Sequence, residues 1–266
     1  MKTLTIVIPV YNEEKRLSKT FTALESLKLS RGFRLESILF VNDGSQDNTK
    51  RYITLSKKRL EKILSTSIKI LNLKTNSGKG AAVRIGMLAS TADYTLIFDA
   101  DVSTPLAELS KFFPYMRKNT DLIIGTRKNG HSTVVVHQPL YRDVFGKGFT
   151  FFTITILNTK VTDFTCGFKA ISRSAKQTIF SQSIIDRWAY DAEIIFLGSK
   201  YGFSLVEVPV VWINDKRSKV RLHKDLPQTL VDLAKIKLSH SIRPTLPILG
   251  AFAKRLPTVV ESSKSV

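Results

Sequence analysis

The sequence is poor in several features that would point to particular protein classes. It has 266 residues and one cysteine, Cys166, so no disulfide can form within the chain. No apolar run reaches the ~18 residues that a membrane-spanning helix needs. The four histidines show no metal-ligand spacing. Gly78-Lys79-Gly80 lacks the earlier glycine and the following hydroxyl residue of a Walker phosphate loop, which argues against a P-loop NTPase.

Acidic residues are also scarce relative to basic ones. The chain has 41 Lys and Arg against 22 Asp and Glu, a formal net charge of +19 and a pI of about 10.0. Such a balance favours anionic partners, namely nucleic acid, phosphorylated substrates or an anionic membrane face. Because zinc-finger spacing, an aromatic-basic RNA motif and a basic helical arm are missing from the sequence, a nucleic-acid-binding module is the less favoured, non-enzyme alternative.

Short apolar runs bounded by turn residues alternate with segments of helical spacing. The apolar runs are Leu4–Val10, Ser37–Val41, Tyr94–Phe98 and Leu122–Ile124. The helical segments are 14–29, 47–64, 80–89 and 106–116. Continuous apolar runs are typical of strands that are covered on both faces. The alternation predicts an α/β fold with a mostly parallel central sheet and helices on both faces.

Charged residues follow the predicted strands, and Asp99-Ala100-Asp101 is the most informative group. Ligands of parallel sheets bind beyond the carboxyl ends of the strands. The residues expected to converge there are Glu13, Asp43, Asp99, Asp101 and Arg127. Two carboxylates one residue apart repel each other, and Mg²⁺ prefers one or two carboxylates plus substrate phosphates. The pattern predicts a site for Mg²⁺ or Mn²⁺ and a phosphorylated ligand, although solvated turn acids would give the same sequence.

Four segments, in this order and spacing, resemble the family-2 glycosyltransferases of the GT-A fold. They are Ile8–Glu14, Val41–Asp47, Asn76–Gly80 and Asp99–Asp101. The resemblance covers roughly residues 3 to 220. Asp163–Lys169 and Arg187–Glu193 resemble the corresponding segments of polyprenyl-phosphate transferases, most closely the dolichyl-phosphate β-glucosyltransferases, with the mannosyltransferases as close relatives. Ser103 stands where the mannosyl type usually has a glutamine, so the third metal ligand is left open.

The resemblance implies roles for individual residues. The nucleotide-sugar site would comprise Pro9, Tyr11, Glu13, Asp43, Lys79, Asp99, Arg127, Ser218 and Lys219. Asp101 with Asp99 would hold the metal, and Arg142 and Lys169 would bind the acceptor phosphate. The residues expected to be catalytic are Asp99, Asp101, Arg127, Arg142 and Asp191. The implied activity is inverting transfer of a hexose, with glucose favoured, from a nucleotide-sugar to a polyprenyl or dolichyl phosphate.

The choice of acceptor decides whether a general base is needed. An alcohol would need one, and Asp191 is the candidate. A phosphate monoester has a second pKa near 6 and is already anionic at neutral pH. The alternatives left open are transfer of mannose from GDP-mannose to a polyprenyl phosphate and transfer to a hydroxyl on a glycan. Simpler structural interpretations also remain: a surface ion pair between Arg187 and Asp191, packing roles for Trp188 and Trp212, and a buried, inert Cys166.

The sequence predicts three regions. Residues 1–221 form the catalytic domain, 222–258 a C-terminal helical segment that is a candidate for the membrane interface, and 259–266 a flexible tail. Met1 is followed at once by a strand, which predicts a cytoplasmic protein without a signal peptide. A lipid acceptor requires a peripheral position at the cytoplasmic face of a membrane. Attachment would run through Phe149–Leu157 and Pro247–Leu256, or through a membrane-anchored partner.

Overall fold

The computed structural model describes residues 1–128, 134–136, 153–157, 159, 161–213, 222–242 and 259–261. The strands are β1 (Lys2–Val10), β2 (Phe33–Asn42), β3 (Ser67–Leu73), β4 (Tyr94–Ile97), β5 (Leu122–Thr126), β6 (Val134–Val136), β7 (Lys169–Ser172), β8 (Leu205–Pro209), β9 (Trp212–Ile213) and β10 (Val259–Glu261). The helices are α1 (Leu17–Glu25), α2 (Thr49–Leu64), α3 (Lys79–Ala89), α4 (Phe113–Arg117), α5 (Arg173–Gln182), α6 (Tyr190–Lys200) and α7 (Leu222–Ile242). A 3-10 helix spans Leu106–Lys111, and residues 153–157 form one helical turn.

Eight strands form one sheet in the order β10-β3-β2-β1-β4-β7-β5-β8. The pairs β1–β2, β1–β4, β2–β3 and β5–β8 are parallel. Strand β7 lies antiparallel between β4 and β5, and β10 lies antiparallel to β3. The predicted α/β fold with a mostly parallel sheet is therefore confirmed.

Alternate residues of the central strands supply two apolar cores, one on each face. Ile6 and Ile8 of β1 pack in the core that contains Phe21 of α1 and Ile53 of α2. Val7, between them, packs in the opposite core with residues of α3, α5, α6 and α7. Because neighbouring side chains of a strand point to opposite faces, a continuous apolar run is what a doubly covered strand requires.

The helix predicted over 106–116 is divided in two. A 3-10 helix ends at Lys111, and α4 begins at Phe113 with Pro114 in its first turn. Proline has no backbone N–H and clashes with a preceding helical turn. The periodicity of the apolar residues was thus correct, while the proline divides the segment into two short helices.

The predicted flexible tail contains a strand. Val259–Glu261 pair antiparallel with Leu71–Leu73 at the edge of the sheet, and the flexibility of the tail stays a prediction. An edge strand presents unpaired N–H and C=O groups that readily accept another strand. Helix α7 lies within the predicted C-terminal helical segment, and the division of the chain at residue 221 stays a prediction.

The two predicted attachment segments are described only in part. Of Phe149–Leu157, the structure describes 153–157, where Thr153 and Leu157 are buried. Pro247–Leu256 lies outside the described residues. Within the described part of the chain, every helix is too short or too polar to cross a membrane.

Candidate functional site

Asp43 directly follows β2 and is hydrogen-bonded to the loop between β3 and α3. Its two carboxylate oxygens accept hydrogen bonds from the backbone N–H groups of Ser77, at 2.7 Å, and Gly78, at 2.9 Å. Burial raises the pKa of Asp43, and this outweighs the two hydrogen bonds and the positive charge of Arg187. Asp43 therefore holds the turn that opens α3, and the role in nucleotide-sugar binding that the resemblance implies for it stays a prediction.

Lys79, the first residue of α3, meets the end of β4 at Asp99. Its Nζ donates a hydrogen bond to Asp99 Oδ2 at 2.9 Å and lies 2.8 Å from Oδ1. Burial lowers the pKa of Lys79, but the charges of Asp99, Asp191 and Asp101 more than offset this, so the net pKa is raised. Lys79 is thus a fixed cation beside the two acids, and Asp99 is already charge-compensated.

Asp101 is less well compensated than Asp99. Its Oδ1 accepts the backbone N–H of Ser103 at 2.9 Å. Burial and the neighbouring charge of Asp99 raise its pKa. Val102, which lies between Asp101 and Ser103, has φ +56°, a left-handed conformation that is costly for a β-branched residue. Strained backbone of this kind is typical of functional sites, and here it places the N–H of Ser103 on the Asp101 carboxylate.

Gly167 allows the loop before β7 to approach Asp99. A Cβ atom at position 167 would lie 2.1 Å from Asp99 Oδ2, closer than any side chain permits. The neighbouring Cys166 is buried, and burial raises the pKa of its thiol to about 11. The expectation that Cys166 is a buried and inert residue is therefore consistent with its surroundings.

The segment 183–189, which precedes α6, packs on the start of α3. The carbonyl of Asp186 accepts the N–H of Ala81 at 3.0 Å. A Cβ atom at Gly78 would lie 2.3 Å from that carbonyl, and one at Gly80 would lie 2.5 Å from the carbonyl of Ile185. Only glycine fits at these two positions, which explains the Gly-Lys-Gly sequence without a phosphate loop.

Two aromatic rings flank Lys79, one from this segment and one from the first residue of α6. Its Nζ lies 5.8 Å from the ring centroid of Trp188 and 5.9 Å from that of Tyr190. Trp188 is half-buried and Tyr190 is buried. A cation over an aromatic face is attracted by the ring quadrupole. Trp188, which the sequence favoured as a packing residue, thus contacts the site through Lys79.

Arg127 is committed to a carboxylate that sequence reasoning did not assign. Its Nε and Nη2 donate to the two oxygens of Asp163, each at 2.7 Å, and its backbone N–H donates to Oδ2 at 2.9 Å. Burial raises the pKa of Asp163, but Arg127 outweighs it and brings the pKa to about 2. The guanidinium lies 5.2 Å from the ring centroid of Trp212. The implied roles of Arg127 in nucleotide-sugar binding and catalysis stay predictions.

The structure contradicts the prediction that Lys169 binds the acceptor phosphate. Lys169 is 1% exposed, and its Nζ donates to the carbonyls of Phe164 and Cys166 and to Asp191 Oδ1. Three donors with three protein partners leave no hydrogen for a ligand. The reason is positional: β7 is a central strand, and its first side chain points into the interior behind the loop.

Asp191 is the partner of this buried lysine. Burial raises its pKa, and Lys169 and Lys79 oppose the increase. Arg187 precedes α6, which begins at Tyr190, and is exposed. The alternative of a surface ion pair between Arg187 and Asp191 is therefore wrong. The assignment of Asp191 as a catalytic residue stays a prediction.

The remaining predicted residues of the first half lie at the end of β1. Pro9 pairs with Val41 of β2 and is half-buried. Glu13 forms an ion pair with Arg16 at 3.2 Å. Tyr11 lines a cavity of about 350 Å³ together with Asn42 at the end of β2 and with polar side chains of the loops after β2 and β3, which include Gln46 and Asn76. This cavity adjoins Asp43 through its neighbour Gly44 but does not include Lys79, Asp99 or Asp101.

The donor set fits a divalent cation bound by one carboxylate. Within the part of the chain that the structure describes, groups of three or more acidic, histidine or cysteine ligands do not occur. Asp99 is compensated by Lys79, whereas the pKa of Asp101 is raised. Mg²⁺ commonly uses one or two protein carboxylates and takes its other ligands from phosphates and water. Asp101 is the residue that fits this role.

Arg142, Ser218 and Lys219 lie outside the described residues, so their predicted roles stay predictions. Sequence reasoning missed the contributions of Asp163 and Gly167, although it singled out the segment that contains both. The sequence indicated that the segment matters but not what these two residues do in it. That Asp163 pairs with Arg127 and that Gly167 approaches Asp99 is visible only in three dimensions.

The sequence is similar to those of known glycosyltransferases. The sequence pattern of glycosyl transferase family 2 matches residues 5–180. A dolichyl-phosphate beta-glucosyltransferase of Dictyostelium discoideum is 32% identical over 247 residues, which cover 89% of this chain and 74% of that protein. Its counterpart in Saccharomyces cerevisiae is 31% identical, with coverage of 89% and 75%. The human enzyme of the same name is 28% identical, with coverage of 82% and 70%.

Solved structures share the fold. The glucosyl-3-phosphoglycerate synthase of Mycobacterium tuberculosis, in complex with Mn²⁺, uridine-diphosphate and glucosyl-3-phosphoglycerate, superimposes with a TM-score of 0.60 at 16% identity. The alignment covers 91% of this chain and 81% of that one. The same synthase with Mg²⁺ and uridine-diphosphate gives a TM-score of 0.62 at 15% identity, with coverage of 91% and 80%.

Proposed function

Because the chain belongs to glycosyl transferase family 2, we propose that it transfers glucose from UDP-glucose to a dolichyl or other polyprenyl phosphate, with inversion at the anomeric carbon. The observation that carries the proposal is the arrangement of Asp101, Asp99 and Lys79 at the carboxyl edge of the sheet. The names of the most similar relatives supply the sugar and the acceptor. Crystallised proteins of the same fold hold a uridine nucleotide with Mn²⁺ or Mg²⁺.

The donor would be held by its base, its diphosphate and its sugar. Tyr11 and the loop of Asp43 offer the base an aromatic ring and polar groups. Lys79 would present its positive charge to the diphosphate, and Asp101 would hold the metal ion. When bound, that ion compensates charge on the departing nucleoside diphosphate.

The surroundings of Asp191 support a phosphate acceptor over a hydroxyl. A hydroxyl acceptor needs a general base within hydrogen-bond reach. Asp191 is buried, and its carboxylate already forms an ion pair with the buried Lys169, which does not suit a general base. A phosphate monoester needs no base because it is anionic at neutral pH. The main task of the enzyme is then to position two anionic substrates, and Arg142 remains our candidate for the acceptor phosphate.

We place the enzyme at the cytoplasmic face of a membrane, where its lipid acceptor resides. Helix α7 supports this placement, because Leu230, Val231 and Leu238 are exposed on one side while Leu233 and Ile236 are buried on the other. An amphipathic helix with basic residues beside its apolar side binds anionic lipid surfaces, and the chain carries a charge of +19. Flotation with vesicles containing phosphatidylserine tests this, and failure to bind at low salt would count against it.

The activity is tested with purified enzyme, Mn²⁺, a short polyprenyl phosphate and either UDP-glucose or GDP-mannose. We expect a metal-dependent glucosyl product from UDP-glucose, with a β linkage at the phosphate. Turnover of GDP-mannose alone would overturn the choice of donor. Transfer to the free polyprenol, but not to its phosphate, would overturn the choice of acceptor.

A further inference from the structure

A buried carboxylate on α6 links the C-terminal helix to the segment that packs on Lys79. Glu193 is completely buried, and its Oε1 accepts the backbone N–H of Ile184 at 2.8 Å. Its Oε2 accepts the N–H of Ile185 at 3.0 Å. His240 Nε2 lies 2.7 Å from Glu193 Oε1, and His240 is 1% exposed. The carboxylate thus has three polar partners on two separate parts of the chain.

The two amides that Glu193 holds belong to the segment 183–189. One residue further, Asp186 accepts the N–H of Ala81 through its carbonyl, and its carboxylate is 2.5 Å from Arg84 Nη2. Two residues beyond that, Trp188 covers Lys79. Displacement of Ile184 and Ile185 would therefore move the groups that hold the start of α3.

His240 lies on α7 and, through Glu193, connects this helix to the segment 183–189. Its backbone carbonyl also accepts a hydrogen bond from Lys200 Nζ. The ring of Phe196 also lies 6.3 Å from that of His240. Because Glu193 and His240 are 47 positions apart, their contact forms only when α7 is docked against α6. A buried carboxylate that loses a partner is left with an unsatisfied acceptor, which is costly.

We propose that Glu193 and His240 are positioning residues that couple the docking of α7 to the geometry of Lys79. Neither residue is placed to touch a substrate. They act by holding the segment 183–189 against the start of α3, so that the lysine ammonium stays between Trp188 and Asp99. The identification of Lys79 with donor binding rests on the proposed function, whereas the coupling itself does not.

The coupling is tested by hydrogen exchange on the full chain. Glu193→Gln replaces one acceptor oxygen by an amide that cannot accept, and His240→Gln removes the ring while keeping a polar side chain. We expect the amides of Ile184 and Ile185 to exchange at least tenfold faster in both variants. Lys237→Met is the matched control, since Lys237 also links α7 to α6, over the ring of Phe196 at 5.8 Å, without reaching Glu193. Unchanged protection in both variants, or an equal loss in the control, would overturn the proposal.

Kinetics supply the second readout. We expect both variants to raise KM for UDP-glucose about tenfold and to leave KM for the polyprenyl phosphate within twofold. A general loss of folded protein would lower kcat and leave both KM values unchanged, and that pattern would refute a positioning role. If the wild-type protein fails to bind UDP-glucose, the proposed function fails, and the exchange experiment still decides the coupling.

Discussion

The two halves of the site use charge differently. In the first half, at the ends of β1 to β4, Lys79 and Asp99 compensate each other while Asp101 has a raised pKa and no ion-pair partner among the contacts described. In the second half, formed by β5, β7 and α6, the charged groups have partners inside the protein: Arg127 pairs with Asp163, Lys169 pairs with Asp191, and Glu193 lies within hydrogen-bond distance of His240. The first half is thus suited to binding a charged ligand, and the second half stabilises the conformation of the site.

This difference separates binding from positioning. A carboxylate with raised pKa gains most when a cation arrives, because the cost of its burial is then relieved. A buried matched pair gains little from a ligand but loses much when one partner is removed. Substitutions in the first half should therefore act mainly on binding and turnover. Substitutions in the second half should act through the conformation, that is, through stability or through the position of Lys79.

The largest effect is expected at Asp163. Asp163→Asn removes the buried partner of the half-buried Arg127 guanidinium, and breaking such a pair costs about 3–5 kcal/mol of unfolding free energy. Denaturant titration of the wild type and the variant measures the difference. A loss below about 1 kcal/mol would show that the second half is not held by this pair.

Asp101→Asn should reduce kcat/KM on the order of 100-fold, as removal of a single charge-stabilising group does in other enzymes. Stability should stay the same or rise, because burial and Asp99 already disfavour the charged form of Asp101. Steady-state kinetics and thermal unfolding of one protein preparation measure both quantities. Loss of stability without loss of activity would remove the contrast between the two halves.

Acid should weaken the second half through Asp163. Its pKa is about 2 in the folded protein, against an ordinary value of 3.8. A lowered pKa means that its ionisation stabilises the fold fully above pH ~4 and that this stabilisation is lost as pH falls through about 2. The amount is about 2 kcal/mol. Unfolding measured from pH 5 to pH 2 should show this loss in the wild type and not in Asp163→Asn.

The smallest effect is expected from an exposed pair of the same fold. Arg173 and Asp93 lie 3.1 Å apart, with side chains 51% and 42% exposed. Surface pairs contribute about 0–1 kcal/mol, so Arg173→Gln should change the unfolding free energy by less than about 1 kcal/mol. The same denaturant titration is the control for Asp163→Asn, and a large loss here would mean that burial is not what distinguishes the two halves.

Motif reasoning succeeded where local sequence and position in the fold agree. Asp99 and Asp101 follow a buried strand, and the carboxyl edge of a parallel sheet gathers such residues. It failed at Lys169, because the sequence gives the positive charge of this residue but not the direction in which its side chain points. Whether a lysine on a strand faces the ligand or the interior depends on the neighbours of that strand, and β7 is inserted antiparallel between β4 and β5.

The residue pattern alone determined the α/β class, the strands that precede Asp43, Asp99 and Asp101, and the family to which the chain belongs. These depend on contacts between near neighbours and on periodicities that can be read along the chain. Only the tertiary structure decided which charged side chains have partners inside the protein, namely Arg127, Lys169 and Glu193, since each partner lies 22 to 47 positions away. Burial and pairing are properties of the packed chain, and they decide which of its charges remain for a ligand.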